Sequence, residues 1–174
     1  MSGLSPNSVD PWRFADAGTA VRGEIAVSGM SRLASLLRND SGGVTYELFF
    51  ALDEQNLPVI TGRVAAVFEV VCQRCLEPMP LEVASEVRVA IAGSAAAASS
   101  VAFDTVIVED KRLSLAALVE DELILALPTA PLHAPGECRP PDYAGAVEPV
   151  VGKDANRPFA GLSTLKSGAG RGRS

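Results

Sequence analysis

The chain has one histidine, three cysteines and three lysines in 174 residues. A lone imidazole that is used as a ligand cannot also activate a serine, and no Gly-rich phosphate loop follows any strand-like run, so catalytic patterns are poor and no enzyme is expected. Scarce lysine and a formal net charge of −6 argue against a broad basic surface that coats nucleic acid. No apolar stretch is long enough to span a bilayer, since "LSLAALVEDELILALP" is interrupted by three acidic residues. The start "MSGLSPNSVD" has neither a basic region nor an apolar run, and the first arginine is Arg13. Neither a secretory nor an organelle-targeting peptide is evident, and a cytoplasmic protein is expected. Aromatic residues are also few, at six Phe, two Tyr and one Trp. The core must therefore be mainly Val, Leu, Ile and Ala, with Phe49, Phe50 and Phe68 as larger fillers.

What remains is an apolar content of 48%, enough for one domain with a real core and two tails. Residues 1 to about 16 read as irregular, "TAVRGEIAVSG" as a short strand and "MSRLASLLR" as a short helix ended by "NDSGG". Three strand-like runs follow, at 44–52, 59–72 and 81–91, and imply an antiparallel meander. In the first, Tyr46, Leu48, Phe50 and Leu52 share a face. The second is apolar nearly throughout and predicts a central strand covered on both sides, with Cys72 at its end. In the third, Leu81, Val83, Val87, Val89 and Ile91 alternate with Glu82, Glu86 and Arg88, as in a sheet wetted on one face. "GSAAAASS" at 93–100 reads as a loop and "FDTVIVED" as a strand. Ser114 can N-cap a helix that runs to about Leu127, where Pro128 prevents continuation. The expected class is α+β: a mostly antiparallel, barrel-like sheet with one main helix and an irregular C-terminal segment.

All three thiols and the imidazole fall into one pattern, Cys72-Gln-Arg-Cys75 and His133-x4-Cys138. Two and four intervening residues let each pair turn toward one ion, so the set can supply a tetrahedral Cys3His site for one structural zinc ion without remainder. Most of a domain separates the pairs, which makes the site a clasp between distant segments rather than an autonomous finger. The alternatives are packing, with Cys72 as a small buried hydrophobe, and redox or metal-handling chemistry by Cys72 and Cys75. Thioredoxin-like chemistry would need a helix after the motif, whereas "LEPMPLEVASEVRV" reads as turn then strand.

On the main helix Leu115, Leu118, Val119, Leu123 and Ala126 form a stripe at about 100° per residue, with Glu122 in its middle. Glu122 either accepts the ring N–H of a ligating His133 or pairs with an arginine. Glu120 and Asp121 fan to other sides, and the three carboxylates make no acid/base pair.

Taken together, "VCQRCLEPMPLEV", "LSLAALVEDELILALP", the His133/Cys138 pair and "RPFAGLSTLK" resemble the bacterial YceD family, named for large ribosomal RNA subunit accumulation. The resemblance covers roughly residues 17–166, read as a single YceD-like domain between a flexible segment 1–16 and a flexible basic tail 167–174. It implies a non-enzymatic role in making or stabilising large-subunit ribosomal RNA, and it places recurrent residues at Cys72, Arg74, Cys75, Glu120, Glu122, Pro128, His133, Cys138, Pro158, Phe159, Leu162 and Lys166. The family often has Asn directly before Pro-Phe-Ala, whereas here Arg157 follows Asn156. Phe159, Leu162 and Leu165 at helical spacing read as an anchor.

Two functions follow as expectations. One is a ribosome-biogenesis factor whose partner is a large-subunit rRNA precursor or a ribosomal or assembly protein, with Arg74, Arg139 and Arg157 as a small phosphate-binding patch and the acidic surface as a seat for a basic protein. The other is the redox or metal-handling protein. Neither a membrane nor a small-molecule substrate is expected.

Overall fold

A computed structural model describes residues 8–99, 101 and 103–141. Helix α1 (Pro11–Asp16) lies where the sequence reads as irregular. Its start has ordinary signals: Asp10 accepts the N–H of Arg13 at 3.2 Å, and Pro11 opens the first turn with a preset φ and no orphan N–H. Pro11 and Ala15 are buried, which fixes this short helix in place.

Strand β1 (Ala20–Ala26) follows, then a 3-10 turn and α2 (Ser31–Ala34), shorter than the sequence pattern suggests. The long strands β2 (Gly43–Leu52), β3 (Pro58–Val71) and β4 (Pro78–Ala92) form the expected meander. A four-residue helix α3 (Ala95–Ala98) leads to β5 (Thr105–Ile107), and α4 (Leu115–Ala126) closes the series. The Ala/Ser connector is thus a helical turn rather than a loop, because Ser94 accepts the N–H of Ala97 and caps it. Ser114 caps α4 in the same way through Ala117.

One sheet holds all five strands in the order β1-β2-β3-β4-β5. The first four are antiparallel, and β5 joins β4 in parallel after the α3 crossover. The result is α+β, an open half-barrel with helices on its inner face. Val44, Tyr46, Leu48 and Phe50 of β2, Ile60, Val64 and Phe68 of β3, and Val83, Val87 and Val89 of β4 face inward, against Leu115, Leu118, Val119 and Leu123 of α4. Phe14 meets Phe50 edge-on, with ring centroids 5.5 Å apart.

Two expectations about burial are corrected. Phe49 is 45% exposed, because the two-residue period that buries Leu48 and Phe50 sends it outward; Leu52 shares their face as expected and is 42% exposed where β2 runs past the core. Strand β3 is central but not covered on both sides: Arg63, Val67 and Glu69 are exposed, and Val67 is 58% accessible. Its long apolar run reflects small outward residues such as Ala65 rather than a second layer. Gly62 is required where it stands, since a Cβ there would lie 2.0 Å from the carbonyl oxygen of Glu47 and its φ is +154°.

Candidate metal centre

Strands β3 and β4 make the longest ladder in the sheet, ending at Val71 opposite Pro78, and the six residues between them are the turn. Cys72 and Cys75 lie in that turn. It is closed by Cys72 N–H donating to Glu77 O and Leu76 N–H donating to Cys72 O, both at 2.9 Å. Leu76 takes a left-handed conformation at φ 63°, a cost for a side chain with a Cβ, at the point where its N–H closes the turn onto Cys72. The Cys-x-x-Cys motif is therefore a hairpin turn, not the strand-to-helix junction of a redox site.

The second pair arrives by the loop after α4. Leu127 leaves the helix in an extended conformation, as a residue before proline favours. Pro131 O then accepts the N–H of Gln73 at 2.9 Å and anchors the loop to the hairpin turn. Gly136, at φ 91°, and the bond from Glu137 N–H to Ala134 O turn the chain so that Cys138 comes back over His133.

The sequence-predicted quartet thus comes together. The ligand atoms of Cys72, Cys75, His133 and Cys138 all lie within 4.8 Å of one another. Cys75 Sγ is 3.4 Å from His133 Nδ1, and Cys72 Sγ is 3.9 Å from Cys138 Sγ. All three cysteines are free thiols. Backbone N–H groups of Arg74 and His133 point at Cys72 Sγ, each at 3.5 Å, and Arg74 Nη1 lies 3.8 Å from Cys138 Sγ.

These donors prepare the site for negative sulfur. Burial works to raise the Cys72 thiol, but the N–H groups of Cys75, His133 and Arg74 and the His133 ring outweigh it and bring it down to about 5. Burial and the neighbouring Cys75 and Cys72 sulfurs push Cys138 up to about 11. One thiolate is thus favoured and a further one opposed, an imbalance that a cation among the sulfurs removes. The four residues can hold a metal ion.

Other predicted residues are placed differently. Glu122 does not reach His133. It hydrogen-bonds Ser85, which pairs with Val64, eight residues back along β3 from Cys72 and so about 26 Å from the turn. Burial, then Asp104 and Asp121, raises the Glu122 carboxyl. The helix carboxylates that do take an arginine are Glu120 and Asp121, with Glu120 making most of the contacts. Glu120 Oε1 accepts the N–H groups of Arg32 and Leu33 at 2.8 and 3.1 Å, and its Oε2 accepts Nε and Nη2 of Arg32 at 3.1 and 2.8 Å. Arg32 Nη1 reaches Asp121 at 2.6 Å. Glu120 thereby caps α2, which has no side-chain cap of its own. Burial opposes ionisation of Glu120, but the Leu33 and Arg32 donors hold its carboxyl below the usual range. Nothing local in the sequence marks this contact, which spans 88 residues.

Arg74 and Arg139 flank Cys138, one through space and one along the chain. Arg157, Pro158, Phe159, Leu162, Leu165, Lys166 and the basic tail 167–174 lie outside the described residues.

Residues 60–166, which include the whole quartet, match the family described as "Large ribosomal RNA subunit accumulation protein YceD". The chain belongs to the YceD family. A large ribosomal RNA subunit accumulation protein YceD from Haemophilus influenzae is 32% identical over 167 residues, covering 92% of this chain and 95% of that relative. No solved structure matches the chain. The YceD match takes in most of strand β3, strand β4, helix α4 and the loop that carries His133 and Cys138, so the matched region is also the region that builds the quartet. Among the described residues no helix is long and apolar enough to cross a membrane.

Proposed function

We propose that this chain is a non-enzymatic, cytoplasmic factor in the synthesis, processing or stability of large-subunit ribosomal RNA, and that Cys72, Cys75, His133 and Cys138 hold one structural zinc ion. Family membership supports the first half, since the Haemophilus influenzae relative is named for accumulation of that RNA. The convergence of the quartet supports the second. Tetrahedral zinc with bonds of about 2.3 Å to sulfur and about 2.0 Å to nitrogen spaces its sulfurs about 3.8 Å apart and sulfur from nitrogen about 3.5 Å. The Cys72–Cys138 and Cys75–His133 pairs lie at 3.9 and 3.4 Å, and the whole set lies within 4.8 Å. All four positions would be filled by protein, leaving no open position for substrate, as in structural sites.

Metal analysis of the purified chain tests the zinc. Near one zinc per chain, lost in Cys75→Ser and His133→Ala, is the expected result; no metal in freshly purified, reduced protein overturns it. For the RNA role, the ratio of large- to small-subunit rRNA is measured in cells lacking the protein and in cells complemented with Arg139→Glu. A ratio that falls without the protein supports the role. Failure of folded Arg139→Glu to restore it assigns Arg139 to a phosphate-bearing partner. Arg74 is the weaker probe, because its guanidinium already lies against Cys138 and offsets the net negative charge of a three-thiolate zinc centre.

The redox or metal-handling alternative uses Cys72, whose thiol is lowered, together with the partly exposed Cys75. Reactive thiols are at least partly exposed, whereas Cys72 has 0% of its surface accessible. The depressed thiol is better spent on a metal.

A further inference from the structure

Among the described residues, strand β1 pairs with β2 on one side only and forms one edge of the sheet. Phe50 N–H donates to Thr19 O at 2.9 Å, and Val27 N–H donates to Gly42 O at 3.1 Å, so the odd-numbered residues of this stretch bond toward β2. By the alternation of an antiparallel ladder, the N–H and C=O groups of Ala20, Arg22, Glu24 and Ala26 point away from the sheet. Edges of this kind are usually blunted by charged side chains, lysine above all, by a proline, a bulge or brevity, or by a covering segment; the charges on β1 are Arg22 and Glu24, of opposite sign. Residues 20–26 contain no Pro or Lys and pair with β2 in unbroken register. The opposite edge, β5, is only three residues long.

Two further observations say what fits this edge. On the core side, Val21 and Ile25 are only half-buried, whereas the corresponding Val44, Tyr46 and Leu48 of β2 are fully covered. On the outer side, the register places Arg22 opposite Glu47, Glu47 opposite Arg63 and Arg63 opposite Glu86, a row of alternating sign that stops at Arg22. Glu24 faces the neutral Thr45.

We propose that β1 is a homodimer seam, in which two copies of this chain join antiparallel about a twofold axis at Gly23 and merge their sheets. In that register Arg22 opposes the partner's Glu24 and Glu24 opposes the partner's Arg22, so the alternating row continues across the seam. Val21 opposes the partner's Ile25 and covers its open side. The outward N–H and C=O groups of the even-numbered residues meet one another, giving about eight backbone hydrogen bonds. The charge order Arg-Gly-Glu is self-complementary when antiparallel, which makes a second copy a better occupant than an arbitrary strand.

Sedimentation of the full chain from about 1 to 300 µM tests the seam, a range suited to a small interface. A monomer–dimer equilibrium is expected. Glu24→Arg, which creates no like-charge pair with Thr45, weakens it by about tenfold or more, as does Arg22→Glu, and the double swap Arg22→Glu/Glu24→Arg restores it. Thermal melts show which variants are folded; if Arg22→Glu is not, because Glu47 repels it, Glu24→Arg alone decides. A wild-type monomer throughout the range, a dimer indifferent to folded Glu24→Arg, or a folded double swap that stays monomeric each overturns the proposal.

Discussion

Helix α4 is fastened to the rest of the protein twice, by an ionic network along its body and by the Cys/His quartet just past its end. In the first, Glu120 is nearly buried and Arg32 half-exposed, and five hydrogen bonds, three of them between charged side chains, converge across two helices. In the second, four soft or borderline ligands converge from a hairpin turn and a loop. The difference lies in how far each group carries its own address. A thiol two residues from another thiol announces a shared target, whereas a glutamate on a helix has many prospective partners, and only the packed fold selects one.

The comparison is broken most severely at the quartet. Cys72→Ser, or chelation of wild type, removes both a ligand set and the tether between α4 and the β3–β4 turn, and thermal denaturation is expected to show a loss of about 10 °C or more. Glu120→Ala comes next. It orphans two N–H groups and leaves Arg32 without its main partner, for an expected loss of about 2 kcal/mol by urea titration, tempered by the exposure of Arg32. Glu120→Gln keeps the shape and an acceptor oxygen and loses about half as much. The sign with pH follows from the depressed carboxyl: its contribution is fully present above the ordinary glutamate range and fades as pH falls through the lower folded value. Denaturation midpoints of wild type should therefore drop on acidification below about pH 4.5, and those of Glu120→Gln should drop less.

Smaller effects sharpen the contrast. Leu76→Gly relieves a left-handed backbone beside the thiols, and in the metal-loaded protein a gain of about 0.5–1 kcal/mol in denaturant is expected, partly cancelled by glycine's greater freedom when unfolded. Glu122 is the mildest. Its carboxyl is raised, so the folded state disfavours its charge, and stability falls as pH rises through the glutamate range toward the folded value. Glu122→Gln is expected to be neutral or to stabilise at pH 7 by less than about 1 kcal/mol, since the group is partly solvated. A large loss would show that Glu122, rather than Glu120, fastens the helix.

Period-two alternation made β1 to β4 legible, and Ser114 with Pro128 bracketed α4 closely. The same alternation shows why Phe49 was misplaced: a large apolar residue next to a buried one must face the other way, and among the described residues no second layer covers it there. Strand β3 misled because alanines on a wet face look like a buried run. Asp10 and Pro11 carried a helix start that the polar, turn-rich segment before them obscured. In the metal centre both ligand pairs were readable from spacing, but their meeting depends on the Pro131–Gln73 bond and on the length of α4, neither of which spacing encodes.

Because Cys72 and Cys75 occupy the turn of the sheet's longest hairpin, their half of the site is local in sequence. His133 follows Cys75 by 58 residues, roughly several seconds of synthesis. A nascent chain at that stage presents two thiols with no tether, and closing so long a loop costs entropy that only a docked α4 has already met. With zinc bound as proposed, a full grip on it needs both halves of the site, so metal retention would read out whether the helix has found its place.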